Sequence, residues 1–160
     1  MKRERTQTPA PPNCAKGHFA VVCARFHPDI ADLLVDGAKR ALRDCNVAGD
    51  NVAFFEVPGC FELPLACRNL IQTDRFDAIV ALGVVIRGET PHFDYVAGEC
   101  ARGIMDVQLA TGTPIAFGVL TTESLAQAQQ RAGREGGDKG YAAAMVAANM
   151  VQEVNRLGRM

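Results

Sequence analysis

The feature that most constrains the fold is a regular alternation between continuous apolar runs and segments with helical periodicity. Runs rich in apolar and β-branched residues predict strands at residues 18–25, 52–57, 77–86 and 114–120. Apolar residues recur every three or four positions in the other segments, which predicts helices at residues 28–45, 61–71, 93–109 and 141–157. A further short helix is expected to be capped by Thr122 or Ser124 and to end near residue 132.

This alternation predicts an α/β fold. Strands that are apolar on both faces must be covered on both sides, which is typical of a parallel sheet with right-handed helical crossovers. We therefore expect a three-layer α/β/α sandwich with about four parallel strands, flavodoxin-like in type. Residues 17–160 are expected to form the single domain. Residues 1–16 are basic and contain three prolines, so they are expected to form a flexible arm.

The charge composition indicates which partners to expect. The chain of 160 residues has 17 Lys and Arg against 18 Asp and Glu. This balance argues against a dedicated nucleic-acid or membrane-surface protein, which needs a basic excess. It favours self-association, since a small net charge gives little mutual repulsion. The longest apolar run, residues 78–86, is too short to span a membrane.

The cysteines indicate a reducing environment. The chain has six cysteines, no CxxC pair and no histidine at zinc-ligand spacing near them. No apolar segment follows the basic residues near residue 1, so we expect no secretory signal. We expect a cytoplasmic protein with no metal site, in which most of these cysteines are small core residues.

The last predicted helix carries more apolar surface than a small monomer can bury. In residues 141–151 only Asn149 has a strongly polar side chain. A helix that is apolar nearly all round must be covered on more than one side. We expect another subunit to supply the second covering surface.

Chemistry-bearing residues gather at the predicted strand ends, where ligands bind in open parallel sheets. Phe26-His27 and Phe61-Glu62 pair an aromatic ring with a polar group, which suits a flat heterocycle. Residues 88–90 precede a helix whose first turn could bind phosphate, although an ordinary capped helix start has the same residues. His92 follows and is a candidate for proton transfer or for a structural role. Arg131 could clamp phosphate or lie at the surface.

The glycine-rich segment 133–140 is not a P-loop. A P-loop needs Gly before its Lys and Ser or Thr after it, whereas here Asp138 precedes Lys139 and Gly140 follows. The segment also joins two helices. No GxGxxG follows the first strand and no GxSxG is present, so dinucleotide-binding and hydrolase functions are disfavoured.

Several longer motifs occur in one order along the chain: VPGCFELP, ALGVVIRGETPHFDY, FGVLTT, QAQQRAG and DKG. With these motifs the chain resembles the lumazine synthase family from about residue 18 to residue 155. The resemblance implies condensation of 5-amino-6-(D-ribitylamino)uracil with 3,4-dihydroxy-2-butanone 4-phosphate. It implies release of phosphate and water, and no cofactor or metal.

The resemblance also implies roles for individual residues. Phe26 resembles the ring that stacks on the pyrimidine, and His92 resembles the general acid and base. Glu89 and Thr90 match the phosphate-binding helix start. Further substrate contacts from the same subunit are implied for Cys60, Phe61, Glu62, Val84, Val85 and Ile86. Phe117 and Arg131 match residues that the adjacent subunit contributes, and Lys139 matches a residue near the site. His27 and Cys60 depart from the residues that are common at their positions, Asn and a small residue such as Ala.

The resemblance further implies a homo-oligomer with a shared active site. The family forms pentamers, paired pentamers or icosahedral shells, and the short segment 133–140 favours the shell. The resemblance also suggests riboflavin synthase as a partner. Two alternatives remain: a non-catalytic flavin- or phosphate-binding module of flavodoxin type, and a structural cage without activity. The set of Phe26, Glu62, His92 and Arg131 argues against the cage.

Overall fold

The computed structural model describes residues 9–158. The strands are β1 (Phe19–Ala24), β2 (Val52–Val57), β3 (Ala78–Ile86) and β4 (Ile115–Thr122). The helices are α1 (Pro28–Asp44), α2 (Leu63–Ile71), α3 (His92–Thr111), α4 (Leu125–Ala132) and α5 (Lys139–Leu157). Short 3₁₀ turns at Gly49–Asn51 and Cys60–Glu62 precede β2 and α2.

The described strands form one parallel sheet in the order β2-β1-β3-β4. Alternate side chains of β1 face opposite sides of the sheet. Phe19, Val21 and Cys23 pack with α1, α4 and α5, whereas the residues between them pack with α2 and α3. Helices therefore cover both faces of the sheet. The predicted α/β sandwich with a four-stranded parallel sheet is confirmed.

Some element boundaries differ from the predicted ones. The predicted helix at 61–71 begins as a 3₁₀ turn and becomes α-helical only at Leu63, with Pro64 in its first turn. Proline is tolerated there because first-turn N–H groups have no intrahelical acceptor. Strand β4 continues two residues further than predicted, to Thr122, since its last residues pair with the end of β3. Of the two predicted caps for α4, Ser124 is the one used, accepting a 3.2 Å hydrogen bond from the Gln127 N–H.

Helices α1 and α5 pack closely through two glycines. A Cβ at Gly140 would collide with the carbonyl oxygen of Leu34, and a Cβ at Gly37 would lie 2.6 Å from the Tyr141 nitrogen. The small residues of α5, Gly140, Ala143, Ala144, Ala147 and Ala148, are buried. Its larger apolar side chains at Val146, Met150, Val154 and Leu157 are exposed.

Residues 1–8 of the predicted arm lie outside the described residues. The remainder of that segment contacts the body of the chain: Pro12 and Cys14 are buried, and the Cys14 N–H donates to the Cys45 carbonyl at 2.8 Å. The Gln152 side chain donates to the Asn13 carbonyl at 3.2 Å. Within residues 9–158, no helix is long and apolar enough to cross a membrane.

The α1–α5 contact predicts an effect on stability. Gly140→Ala should lower the free energy of unfolding by about 1–3 kcal/mol, because the added methyl group must displace the Leu34 carbonyl. Gly49→Ala is the control, since a Cβ there meets nothing within 4 Å; it should change that free energy by less than about 0.5 kcal/mol. Urea denaturation at matched protein concentration measures both. Equal midpoints for the two variants would contradict the close packing.

Candidate active site

The ends of β1, β2 and β3 and the start of α3 enclose a cavity of about 490 Å³. It lies at the carboxyl end of the sheet, where a parallel α/β fold places its ligands. Most of the predicted site residues line this cavity: Phe26, Cys60, Phe61, Glu62, Val84, Val85, Ile86, Thr90 and His92. Glu89 is exposed and is not among the lining residues.

Two aromatic rings lie at the mouth of the cavity with much of their surface exposed. Phe26 is 76% exposed and Phe61 is 59% exposed. The Phe26 ring meets the His27 ring edge-on, with centroids 5.1 Å apart. Exposed aromatic faces beside a cavity suit stacking on a planar ligand, because the ligand then buries apolar surface that water otherwise contacts.

Polar contacts fix the strand end that carries Phe26. The Arg25 N–H donates to the Val57 carbonyl at 2.9 Å, which continues the pairing of β1 with β2. The Arg25 guanidinium donates to Asp32 at 2.6 Å and lies 3.6 Å from a Glu56 carboxylate oxygen. The exit of β1 is thus joined to β2 and to α1, which positions Phe26 beside the exit of β2.

The Cys60 thiol forms part of the buried wall of the cavity. It is 4% exposed, and its Sγ lies 3.6 Å from the Val84 carbonyl oxygen, to which it donates. A Cβ at residue 83 would lie 2.6 Å from that sulfur, so the space for Cys60 depends on Gly83. A hydrogen bond with the Cys100 thiol and burial both raise the pKa of Cys60. Cys60 is therefore a neutral packing residue.

The start of α3 brings His92 to the cavity. His92 is the first helical residue, one position before the predicted start, and Pro91 occupies the cap position. The Thr90 hydroxyl, one position earlier, accepts a 3.4 Å hydrogen bond from the His92 N–H. First-turn N–H groups and the helix dipole together favour an anion at this end of α3.

Arg87 connects the elements around His92. Its N–H donates to the Thr122 carbonyl, and its guanidinium donates to Glu123 at 2.9 Å and to Asp94 at 3.3 Å. The guanidinium carbon also lies 4.3 Å from the centroid of the Phe93 ring. The ends of β3 and β4 and the first turn of α3 therefore hold one another in place.

The other predicted site residues lie elsewhere. Phe117, Arg131 and Lys139 line a second cleft of about 420 Å³, formed by β4, the end of α4 and the start of α5. Strand β4 is an edge of the sheet, and Phe117 is 46% exposed. None of these three residues is among those lining the first cavity. Within the described chain, the predicted residues therefore form two separate groups.

The cavity also contains His27 and Gly88, which the sequence analysis placed at strand ends, and four residues that it did not select: Pro58, Gly59, Phe93 and Val96. Pro58 and Gly59 follow a predicted strand, and their position alone could have selected them. Phe93 and Val96 lie on α3 at the spacing that continues to buried Cys100, so helical periodicity indicates their inward face. No group of three His, Cys, Asp or Glu side chains among residues 9–158 could hold a metal ion.

A family model and a curated relative both match this chain, and both have the same enzyme name. The sequence model of the 6,7-dimethyl-8-ribityllumazine synthase family matches residues 16–155. A curated relative from Syntrophus aciditrophicus (strain SB), a 6,7-dimethyl-8-ribityllumazine synthase, is 46% identical over 144 residues. That alignment covers 89% of this chain and 94% of the relative.

The buried thiols predict slow chemical modification. Burial raises the pKa of Cys23 and of Cys67 to about 12, so these thiols stay protonated and unreactive at pH 8. Ellman's reagent should react with all six cysteines in guanidinium but with few in the folded protein. Rapid modification of Cys60 in the folded protein, located by mass spectrometry, would contradict its assignment as a buried packing residue.

Proposed function

Because the chain belongs to the 6,7-dimethyl-8-ribityllumazine synthase family, we propose how its own residues carry out that family's reaction. The enzyme acts in riboflavin biosynthesis. It condenses 5-amino-6-(D-ribitylamino)uracil with 3,4-dihydroxy-2-butanone 4-phosphate, forms 6,7-dimethyl-8-ribityllumazine and releases phosphate and water. The residue assignments rest mainly on the cavity at the strand ends, which combines exposed aromatic rings with Glu62, Thr90 and His92.

The pyrimidine substrate binds in the cavity. Phe26 stacks on its ring, as the 76% exposure of the free aromatic side chain supports. The end of β3 at Val84, Val85 and Ile86 reads the edge of the heterocycle through backbone groups on its β1 side, where strand pairing ends at Leu82, while its other side stays paired with β4. The segment Cys60, Phe61 and Glu62 contacts the ring and the ribityl chain.

The phosphorylated ketone binds at the start of α3. Glu89 and Thr90 precede the helix, and first-turn N–H groups with the helix dipole favour the phosphate there. In the proposed arrangement the carbonyl carbon lies next to the pyrimidine amine. Holding two reactants in contact removes the entropic cost of a bimolecular encounter, which supplies a large part of the rate.

His92 moves the protons. Attack of the amine on the ketone gives a carbinolamine, loss of water gives an imine, and β-elimination releases phosphate. Ring closure then expels a second water. Each step transfers a proton to or from nitrogen, oxygen or carbon, and an imidazole can donate and accept protons near neutral pH.

The second cleft belongs to the active site of a neighbouring subunit. Phe117, Arg131 and Lys139 face this separate cleft, and it supplies the cations that a phosphate needs. A surface that binds a different surface of the next copy generates a ring. The exposed apolar residues of α5 and the balance of 17 basic against 18 acidic residues support such self-association. We propose a pentamer, either single or assembled into a shell.

Two further proposals concern the setting of the enzyme. All six cysteines lie among the described residues and are free, which supports a reducing, cytoplasmic location. We also propose riboflavin synthase as a partner.

Mixing the two substrates with the protein and following lumazine fluorescence tests the reaction itself, because a flavin-binding module without activity yields no signal.

His92→Ala should slow turnover by about 10²–10⁴-fold, since that is the usual contribution of a general acid and base. Binding of the pyrimidine substrate should weaken only modestly, because Phe26 and the end of β3 remain. Steady-state kinetics and calorimetric binding measure the two effects. Turnover at the wild-type rate would remove His92 from the mechanism.

Arg131→Ala should raise KM for the phosphorylated ketone and leave KM for the pyrimidine unchanged, because the arginine contacts only the phosphate. Steady-state kinetics with each substrate varied in turn measures both values.

Subunit mixing tests the shared site at a ketone concentration far below the KM of Arg131→Ala, where that variant alone has little activity. Refolding a mixture of equal amounts of His92→Ala and Arg131→Ala subunits should then restore about a quarter of the wild-type activity, since random assembly in a ring joins one intact cavity to one intact cleft in that share of interfaces. A mixture no more active than its separate components would contradict the shared site.

A further inference from the structure

The segment from residue 133 to residue 138 connects the two cations of the second cleft. Arg131 precedes this segment in the last turn of α4, and Lys139 follows it as the first residue of α5. The Gly137 N–H donates to the Gln130 carbonyl at 3.0 Å, and a Cβ at Gly137 would lie 2.8 Å from the Arg131 carbonyl oxygen. The segment is therefore folded tightly against α4, and its conformation determines how Arg131 and Lys139 are spaced.

Asp138 is the point at which this segment enters α5. Its φ of 45° lies in the left-handed region, which is uncommon for residues other than glycine, although Asp and Asn adopt it more readily than most. Its N–H donates to the Gly133 carbonyl at 3.1 Å, which closes the segment. Asp138 occupies the cap position of α5, but its side chain makes no capping hydrogen bond there.

Both carboxylate oxygens of Asp138 instead accept hydrogen bonds from Arg40 on α1. Nη1 of Arg40 lies 2.9 Å from Oδ2 of Asp138, and Nη2 lies 2.7 Å from Oδ1. The two side chains are 16% and 22% exposed. A bidentate pair with little exposure is stronger and more specific in geometry than an ordinary surface ion pair.

Arg40 is itself held from two further directions. Its Nε donates to Asp36 Oδ2 at 2.9 Å, one turn earlier on α1, and its guanidinium carbon lies 5.6 Å from the centroid of the Tyr141 ring. Hydrogen bonds from Arg40 to Asp138 and Asp36 raise the pKa of the guanidinium. The fork that holds Asp138 is thus fixed before any substrate binds.

We propose that Arg40 is a positioning residue for the phosphate clamp. By holding Asp138 in its left-handed conformation, it fixes Lys139 directly and Arg131 through the segment 133–138. This inference rests on the proposed function of the second cleft. The close contact of Gly37 with Tyr141 and of Gly140 with Leu34 does not involve the Arg40 side chain. Helices α1 and α5 therefore remain packed without the ion pair, while the cations lose their fixed spacing.

Arg40→Met tests the proposal, because methionine keeps an unbranched apolar stem and removes the fork. KM for the phosphorylated ketone should rise about tenfold, while KM for the pyrimidine should change by less than about twofold. Arg40→Lys should fall between the wild type and Arg40→Met, since an ammonium supplies charge without bidentate geometry. Arg43→Met is the control: Arg43 is exposed on the same helix, so its loss should leave both KM values unchanged.

A second variant keeps the proposal testable if Arg40→Met fails to fold. Asp138→Asn retains a residue that tolerates the left-handed conformation and removes the carboxylate, so it should give the same selective rise in KM for the phosphorylated ketone.

The effect should also depend on the clamp. In an Arg131→Ala, Lys139→Ala background, Arg40→Met should raise this KM little further, because the groups that Arg40 positions are absent. Equal effects on both substrates, or a full effect in that background, would overturn the proposal. If Arg131→Ala itself leaves KM for the ketone unchanged, the proposed clamp fails, and Arg40 has no clamp to position.

Discussion

Burial of both faces of the parallel sheet determines where the remaining parts of the molecule lie. Because β1 and β3 are buried on both sides, helices must pack against each face, and every connection must return across the sheet. The carboxyl ends of β1, β2 and β3 then meet at one edge. Phe26, the segment from Cys60 to Glu62, and His92 come from distant parts of the chain, and they share one cavity because of this topology.

The same topology separates the cavity from the second group of polar residues. Strand β4 forms an edge of the sheet, and α4 and α5 follow it, so Phe117, Arg131 and Lys139 lie along a different cleft. A phosphate that is bound only at the start of α3 would not contact Arg131 or Lys139, the cations of the second cleft. The proposed association of two copies, cavity to cleft, would bring the two groups together, and the exposed apolar side of α5 offers surface for such contacts.

Much of this architecture could be predicted from the sequence, since hydrophobic periodicity reports burial directly. The strands, the helices and the gathering of Phe26, Glu62 and His92 at the strand ends followed from pattern alone, and the structure brings them together. Phe117 had no such signal and entered only through the family resemblance. Arg131 had a weak local signal, because an arginine at a helix end is usually a surface residue.

Other features depend on tertiary contacts that local pattern does not record. The Arg40–Asp138 pair joins residues 98 positions apart, and neither helix periodicity nor composition indicates it. The contact of the Cys60 thiol with Gly83 also arises only when β3 and the 3₁₀ turn at Cys60–Glu62 pack against each other. Pattern therefore indicates which faces are buried, whereas the pairing of particular side chains across the core depends on how the elements pack.

The central claim is that each active site combines the cavity of one copy with the cleft of the next. A cryo-electron microscopy structure of the active protein with inorganic phosphate tests it directly. We predict a ring in which phosphate lies between the α3 start of one subunit and Arg131 of its neighbour. A fully active assembly in which the Arg131 cleft faces solvent, or phosphate bound without any group from a second subunit, would contradict it.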